Sequence, residues 1–487
     1  MLAAQLSGGG AEPHHEMTER TQAVSATPEA APGEGPSFHI VTFGCQMNKL
    51  DSELAAAELV ARGYRSVDDP GRADVVLYYT CSVREHAENR VLSHLGSWRR
   101  RAEDDPRFVL GVLGCMAQRL GGELVRKFPY VKLVCGSRAF LRVPGHLEAI
   151  RAGEGPIVDV GMDAFTQCRR PALRPRRHSA YVSIMRGCDN YCAYCIVPYV
   201  RGREVSRPVE EVAGEVERLC EDGAAEITLL GQNVDSYGKG LTPPSRLSDL
   251  LRRVAGTPGL RRLRFVTNHP RDVGDDLLRA VADLEPVCEH LHVPAQSGSS
   301  AVLARMRRGY TRERYLEIVE SARRVVPGVE IASDFLVGFP GETDEDFEQT
   351  LSLMEEVRFQ QSFIFKYSPR PGTLAARWPD DVPEAVKRER NQRLLEAQQR
   401  IDTERRGALV GTVAEVMVEG ANPADREGRR LSGRTRGNDI VFFSQPALGA
   451  ESSAEENARA AEDMAGSVLS VRITGSTALT LFGEFGG

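Results

Sequence analysis

The sequence predicts an α/β protein in three folded parts: an N-terminal parallel α/β domain, a central (β/α) barrel or part of one, and a small all-β domain. Three observations lead to this prediction. Short apolar runs alternate with helical stretches through the first two parts, which is typical of parallel sheets with crossover helices. The last part changes to short strand-like runs between Gly and Asn turns. The chain has 487 residues, enough for about two to four domains.

The N-terminal stretch, residues 1–37, is rich in Ala, Gly, Glu, Pro and Ser. It lacks the apolar content of a folded segment and the apolar core of a secretory signal. We interpret it as a disordered tail in which His14 and His15 are solvated. The chain also has no apolar run near the ~20 residues that span a bilayer. We therefore expect a cytoplasmic protein with no membrane partner, whose clustered cysteines serve a metal or catalysis rather than disulfides.

The first domain, residues 38–155, contains four apolar strand-like runs that each lead into a cysteine. The runs are FHIVTF, ADVVLYY, FVLGVL and VKLV, followed by Cys45, Cys81, Cys115 and Cys135. The carboxyl ends of parallel strands share one edge, and open α/β sheets bind ligands there. We therefore expect the first three of these cysteines to converge. The alternative is three buried cysteines that pack as small apolar side chains.

Residues 156–178 contain the sequence RRPALRPRRH, and we interpret them as an Arg/Pro-rich linker. Two interpretations stay open for this linker: a solvated segment, or a basic strip that contacts phosphates. The formal net charge of the chain is −6, so a nucleic-acid partner depends on such local patches and not on the overall charge.

The second domain, residues 179–406, again alternates strands and helices. Its strand-like runs are AYVSIMRG, EITLLGQN, LRFVTN, EHLHVP, EIASDFLVG and QSFIFKYS. Six such units predict a (β/α) barrel or part of one. Thr343 followed by Asp346 has the pattern of a capping box at a helix start. A charged helix over residues 380–406 ends the domain.

The third domain, residues 407–485, consists of short strand-like runs and predicts a small all-β barrel or sandwich. Within it, residues 449–466 form an acidic insert that we interpret as a loop or a short helix.

Three cysteines of the second domain, Cys188, Cys192 and Cys195, have the spacing C-x3-C-x2-C. Seven residues of helix would rise about 10.5 Å, which is too far for one compact metal centre. The neighbouring Gly, Asp, Asn and Pro residues also favour a loop. A zinc site usually adds a second Cys or His pair, and none follows here. Three thiolates suit a [4Fe–4S] cluster with one iron open to a cofactor; zinc and unligated core cysteines are the alternatives.

At this motif the sequence resembles the radical S-adenosylmethionine (SAM) enzymes. The stretch RGCDNYCAYCIVPYVRGREVSR is similar to the methylthiotransferase family, most closely its tRNA branch. Residues 407–485 resemble the TRAM domain, an RNA-binding β-barrel. Further motifs of the family run along residues 38–485: TFGCQMNKLDSE, YTCSVREHAENRVLSHLG, LGCMAQR, LLGQNVDSYG, PAQSGSSAVLARMRRGYTRERY, SDFLVGFPGETDEDF and YSPRPGT.

The resemblance implies a methylthiotransferase domain, a radical SAM partial barrel and a TRAM domain, with two [4Fe–4S] clusters. The implied ligands are Cys188, Cys192 and Cys195 for the SAM-binding cluster, and Cys45, Cys81 and Cys115 for an auxiliary cluster. The other cysteines have no counterpart among the ligands, and we interpret them as packing residues: Cys135, Cys168, Cys220 and Cys288. Tyr79 departs from the family pattern, where Asn is common before Thr-Cys.

Radical SAM folds contact SAM at strand ends, which points to five further residues: Gly231, Gln232, Ser333, Asp334 and Gly338. A turn or packing role is the alternative for each of them. Arg201 and Arg203 are interpreted either as partners of a carboxylate or phosphate, or as solvated loop charges.

The implied reaction adds a methylthio group at C2 of N6-isopentenyladenosine, at position 37 of tRNA. An aromatic C2–H is neither acidic nor electrophilic enough for side-chain catalysis, so the cofactors must carry that step. The implied partners are the tRNA anticodon arm, an electron donor such as flavodoxin or ferredoxin, and a sulfur donor. Within the family, the alternatives are threonylcarbamoyladenosine in tRNA or an aspartate of a ribosomal protein. A non-catalytic, metal-stabilised RNA-binding protein is the alternative of another class.

Overall fold

The structure is a computed structural model and describes residues 22–23, 35–82, 85–162, 174, 176–425, 429–444 and 452–486. Within these ranges the chain forms the three predicted parts in the predicted order. His14, His15, Cys168 and most of the RRPALRPRRH stretch lie outside the described residues.

The first domain is built on one mostly parallel sheet. Its strands are β1 (Gln22–Ala23), β2 (Ser37–Thr42), β3 (Arg65–Ser66), β4 (Val75–Thr80), β5 (Val109–Gly114), β6 (Leu133–Cys135) and β7 (Ile157–Asp159). Its helices are α1 (Gln46–Ala61), α2 (Glu85–Ser97), α3 (Arg99–Asp104), α4 (Cys115–Leu120), α5 (Gly122–Lys127) and α6 (Val143–Arg151). The strand order is β1-β2-β4-β5-β6-β7, with β3 beside β2. Strands β4 and β5 are fully buried because two apolar clusters cover the sheet.

Two strands of this sheet lie outside the range expected for the domain. Gln22–Ala23 falls in the stretch interpreted as a tail and pairs antiparallel with β2. Ile157–Asp159 falls in the stretch interpreted as a linker and pairs parallel with β6. The sequence analysis did not predict these two strands, because two or three residues are too few to show a strand period.

The second domain is a six-stranded partial barrel. Its elements are β8 (Ser179–Ser183), β9 (Met185–Arg186), α7 (Val197–Arg201), β10 (Val205–Ser206), α8 (Val209–Glu221), β11 (Glu226–Leu230), α9 (Leu247–Ala255), β12 (Arg262–Phe265), α10 (Asp275–Asp283), β13 (His290–His292), α11 (Ser300–Arg305), α12 (Arg312–Val325), β14 (Glu330–Val337), α13 (Asp344–Val357), β15 (Gln361–Lys366) and α14 (Glu384–Gly407). The parallel sheets β8-β11-β12 and β13-β14-β15 meet at a bridge between Leu263 and Val287. At the start of α13 the Thr343 hydroxyl accepts from the Asp346 amide at 3.2 Å, which confirms the capping box.

The third domain is a closed barrel with the strand order β16-β17-β18-β20-β19. Its strands are β16 (Val413–Ala421), β17 (Arg430–Thr435), β18 (Ile440–Ser444), β19 (Val468–Ser476) and β20 (Leu481–Phe485). The predicted barrel is therefore confirmed. Part of the acidic insert forms the helix α15 (Ala454–Met464), which Ser453 caps.

The closed barrel docks on the amino ends of the central strands. Arg262, at the start of β12, donates to the Arg434 carbonyl oxygen at 2.6 Å. Arg264 donates to the Thr435 carbonyl oxygen at 2.8 Å, and Arg436 pairs with Glu289 beside β13 at 2.7 Å. The TRAM-like barrel and the cysteine loop that follows β8 and β9 therefore lie at opposite ends of the parallel strands. No helix in the described ranges combines the length and the apolar character needed to cross a membrane.

Candidate active site

Cys45, Cys81 and Cys115 lie at the carboxyl ends of three neighbouring strands of the first sheet. Cys45 caps α1 after β2, Cys81 directly follows β4, and Cys115 is the first residue of α4 after β5. The order β2-β4-β5 places these ends side by side on one edge. The structure brings the three cysteines together, as the strand-end argument expects, and their role as cluster ligands stays a prediction.

The close approach of the first two loops depends on Gly44. Its φ is +112°, and a Cβ at this position would lie 2.4 Å from the Cβ of Cys81. A hydrogen bond from Cys81 and the nearby charge of Arg201 hold the pKa of Cys45 down to about 6. Burial raises the pKa of the Cys115 thiol, and Arg201 opposes that effect. Arg201 therefore favours the thiolate form, which is the form that binds metal.

Cys188, Cys192 and Cys195 lie in the loop between β9 and α7, and no helix runs through them. The predicted loop is confirmed. The backbone of the loop is tied on two sides, because the Cys188 amide donates to the Gly202 carbonyl at 3.1 Å and the Ala193 amide donates to the Met306 carbonyl at 2.9 Å. Burial raises the pKa of Cys188 to about 11 and that of Cys195 to about 12.

The donor set at both sites fits a [4Fe–4S] cluster with one open iron. Every cysteine in the described part of the chain is a free thiol, so none of the six is held in a disulfide. Desolvation makes the thiols of Cys115, Cys188 and Cys195 resist ionisation, and a bound metal would reverse this by supplying positive charge. Three thiols at each site match three of the four ligands that such clusters take from cysteine.

Arg308 is the buried cation beside the second triad, and the sequence analysis gave it no role. Its Nη1 donates to the Sγ of Cys192 at 3.5 Å, its Nε donates to the Tyr310 hydroxyl at 3.1 Å, and its Nη2 donates to the Pro294 carbonyl at 3.1 Å. Only 6% of the residue is exposed. The motif RMRRGY shows three arginines near this site, but the sequence does not show which of them is buried.

A buried polar network connects the two triads. The carboxylate of Asp51 in α1 accepts from Arg201 at 3.1 Å, from the Tyr79 hydroxyl at 3.1 Å, and from Arg186. Arg201 also donates to the side-chain oxygen of Asn48 at 2.8 Å. Tyr79, which departs from the family pattern, therefore serves as a further donor to Asp51.

The two arginines of the VRGR stretch take different places. Arg201 ends α7 and is 4% exposed, so the interpretation as a solvated charge was wrong for it. Arg203 is largely exposed and pairs with Asp189 at 3.0 Å. Both arginines therefore bind a carboxylate of the protein itself.

Two of the five residues predicted to contact SAM lie beside the cysteine loop. Gly231 and Gln232 directly follow β11, and the side-chain oxygen of Gln232 accepts from the Gly187 amide at 2.6 Å. This bond joins the end of β11 to the residue before Cys188. Contact of both residues with SAM stays a prediction.

The other three residues belong to β14 or follow it. The Ser333 hydroxyl is fully buried, donates to the Val293 carbonyl at 3.1 Å and accepts from the Ala295 amide at 3.0 Å. A Cβ on Gly338 would lie 2.3 Å from the Cγ of Lys387. These contacts agree with a packing role for Ser333 and Gly338, and their contact with SAM stays a prediction. Asp334 is half-buried, and its carboxylate lies 3.2 Å from His292 Nε2; its contact with SAM also stays a prediction.

The remaining described cysteines are buried: Cys135, Cys220 and Cys288. Cys135 ends β6, and its sulfur lies within 4.8 Å of ligand atoms of His146 and Asp159. The Asp159 carboxylate is already bound by Arg142 at 2.7 and 2.8 Å and by His146 at 2.8 Å. This arrangement agrees with a packing role for Cys135.

Comparisons with known proteins identify the family. The Radical SAM superfamily matches residues 182–354, and the uncharacterized protein family UPF0004 matches residues 37–136. A tRNA-2-methylthio-N(6)-dimethylallyladenosine synthase of Thermoanaerobacter pseudethanolicus is 40% identical, over 96% of this chain and 97% of that protein. A protein of the same name from Moorella thermoacetica is 46% identical, over 84% of this chain and 92% of that protein.

Solved structures show the same fold at low identity. The radical S-adenosylmethionine methyltransferase TsrM of Kitasatospora setae, solved with cobalamin and a [4Fe–4S] cluster, matches with a TM-score of 0.51 and 15% identity. The match covers 70% of this chain and 74% of that chain. Taken with the relatives above, the chain belongs to the tRNA-2-methylthio-N(6)-dimethylallyladenosine synthase family of the Radical SAM superfamily.

Proposed function

We propose that this protein adds a methylthio group to C2 of N6-isopentenyladenosine at position 37 of tRNA. The observation that carries the proposal is the presence of two cysteine triads on adjoining edges, one following the parallel strands of each α/β domain. A simpler radical reaction needs one cluster, whereas sulfur insertion needs a second site that presents sulfur. The relatives named above support the choice of substrate.

The cofactors are SAM and two [4Fe–4S] clusters, as in radical SAM enzymes of this family. Bound at Cys188, Cys192 and Cys195, a cluster with an open iron supplies the electron and the chelation that reductive cleavage of SAM requires.

In this proposal the residues of the chain position the two clusters. The hydrogen bonds of the second loop fix its backbone, so the three thiols are oriented before a metal binds. Helix α7 begins two residues after Cys195, and its five residues span about 7.5 Å. Because Ile196 and Val200 pack on Cys115, the auxiliary triad lies next to this helix. The two sites are therefore neighbours, as transfer of sulfur to a substrate activated by SAM requires.

We further propose that the partners are the tRNA anticodon arm, an electron donor such as flavodoxin or ferredoxin, and a sulfur donor, in the cytoplasm. The electron donor is required because cleavage of SAM consumes an electron. The sulfur donor is required because each turnover removes one sulfur atom from the protein.

Mass spectrometry of tRNA nucleosides tests the proposal in cells with the gene, without it, and with a Cys188→Ala variant. We expect 2-methylthio-N6-isopentenyladenosine to disappear and its precursor to accumulate without the gene and in the variant. Cys220→Ala is the matched control, because this buried cysteine belongs to neither triad and should leave the modification intact.

Three other outcomes would contradict the proposal. Unchanged nucleosides would reject it, and loss of the methylthio form of threonylcarbamoyladenosine would change the substrate. Loss of the methylthio group from a ribosomal-protein aspartate would make that protein, and not tRNA, the substrate. Reduced anaerobic protein should also release methionine and 5′-deoxyadenosine from SAM, which a non-catalytic RNA-binding protein would not do.

A further inference from the structure

In the network between the two triads, two buried arginines share one carboxylate. Asp51 is fully buried and shares its single negative charge between Arg186 and Arg201, whose side chains are 6% and 5% exposed. The second partner of Arg201 is the neutral amide of Asn48. Burying a charge is costly unless an opposite charge is near, so these cations would stabilise an anion bound at the auxiliary triad.

Arg201 also lies beside the auxiliary triad, because the adjacent Val200 packs on Cys115 and the guanidinium binds Asn48, three residues after Cys45. Cys115 and Cys45 are among the groups that act on its charge, and Arg201 in turn acts on both thiols. Three thiolates and the cluster they would hold supply further negative charge beside this guanidinium, in addition to that of Asp51. The guanidinium of Arg201 is held in place by its hydrogen bonds to Asp51 and Asn48.

Helix α7 is held against the auxiliary edge. The Arg201 carbonyl accepts from Arg138 at 2.9 Å, and the Val200 carbonyl accepts from the Ser137 hydroxyl. Asn48, which holds the guanidinium, is itself tied to the first ligand position, since its amide donates to the Cys45 carbonyl at 2.9 Å. The charge therefore lies at a fixed position one helical turn from Cys45.

We propose that Arg201 is the counter-cation of the auxiliary cluster and raises the reduction potential of that cluster. The inference rests on the proposed function, because it takes Cys45, Cys81 and Cys115 as the ligands. One-electron reduction adds a negative charge to the cluster, and a fixed cation in a low-dielectric site stabilises that charge. The electron comes from the external donor that the proposed function already requires. Arg201 acts as a positioning and tuning residue and takes no part in bond making.

The test uses the full chain with Cys188, Cys192 and Cys195 replaced by alanine, so that one cluster site remains. The protein is reconstituted anaerobically with iron and sulfide, and iron per chain is measured. The cluster is then titrated with dithionite and followed by electron paramagnetic resonance. In this background we compare Arg201→Gln and Arg201→Lys with the matched control Arg203→Gln, which removes an exposed arginine two residues away.

We expect Arg201→Gln to make reduction at least tenfold less favourable, which is about 59 mV for a one-electron couple. Arg201→Lys should recover most of the shift because it keeps the charge, and Arg203→Gln should cause none. Asp51→Asn removes the negative charge that opposes Arg201, so it should shift the potential in the opposite, positive direction. That variant keeps the test decisive if Arg201→Gln holds too little iron to titrate.

A loaded cluster whose potential is the same in Arg201→Gln and the parent would overturn the inference and leave the proposed function standing. A negative shift in Asp51→Asn would overturn it as well. Failure of the parent background to bind iron at all is a different result, because it would remove the auxiliary ligand set on which the proposed function depends.

Discussion

Replacing Gly187 with alanine should disrupt the loop that presents the second cysteine triad. Gly187 has a φ of +80°, where an L side chain costs about 1–2 kcal/mol. An alanine Cβ would lie 2.0 Å from the Arg203 carbonyl oxygen, although Cβ contacts under 3.0 Å essentially do not occur, so the two segments must separate by about 1 Å. The change acts on the backbone directly before Cys188 and removes no side chain from the site.

The separation strains two hydrogen bonds of the loop. These are the bonds from the Gly187 amide to Gln232 at 2.6 Å and from the Cys188 amide to the Gly202 carbonyl at 3.1 Å. Each contributes about 0.5–1.5 kcal/mol, so their loss adds about 1–3 kcal/mol to the backbone strain. The total cost is about 2–5 kcal/mol, most of it local to the loop.

The assay is iron per chain after anaerobic reconstitution, in a background with Cys45, Cys81 and Cys115 replaced by alanine, together with urea unfolding. We expect Gly187→Ala to lose most of the iron and to unfold at lower urea. Gly96→Ala is the control, because Gly96 lies in α2 with no atom within 4 Å of an added Cβ and should gain about 0.5–1 kcal/mol. Full iron loading with an unchanged unfolding midpoint in Gly187→Ala would refute the reasoning.

Three further predictions concern residues around the site. Ser333→Ala leaves the buried Ala295 amide without its acceptor and should lower the free energy of unfolding by about 1–3 kcal/mol. The affinity for SAM, measured by calorimetry, should stay the same. A large loss of SAM affinity without a loss of stability would contradict this prediction. Burial raises the pKa of Asp235 to about 7, above its unfolded value near 3.8, so the contribution of Asp235 to stability becomes less favourable as pH rises from about 4 to 7. In urea unfolding at a series of pH values, the free energy of unfolding of Asp235→Asn should therefore rise relative to that of the parent over this range. A difference that stays constant with pH would contradict the raised pKa. Arg262→Ala should loosen the closed barrel and increase hydrogen exchange at residues 434–436, whereas the exposed Arg261→Ala should not.

The sequence predicts where the six cysteines lie in the fold because their positions follow from local rules. Cys45, Cys81 and Cys115 each come directly after an apolar run, and parallel pairing alone brings such positions to one edge. The second loop is also a local feature, since its spacing and its Gly, Asn and Pro residues exclude a helix. Both features follow from local sequence and do not depend on contacts between distant parts of the chain.

The buried cations could not be predicted because their partners are distant in sequence. Arg201 and Asp51 are 150 positions apart, and Arg308 and Cys192 are 116 positions apart. A sequence motif shows that arginines are present but not which of them turns inward, as the contrast between buried Arg201 and exposed Arg203 demonstrates. The short strands β1 and β7 were missed for a different reason, since two or three residues carry no period.

The placement of the third domain restricts what the substrate can be. Its turn between β17 and β18 contacts the amino ends of β12 and β13, whereas the cysteine triads lie at the carboxyl ends of the parallel strands. Strand β14 has eight residues and therefore spans about 26 Å from one end to the other. An RNA held by this barrel must extend along the outside of the central domain by about that length before a base reaches Cys188. If the barrel holds part of the substrate, a free nucleoside is too short to reach Cys188 as well, whereas an anticodon arm can make both contacts.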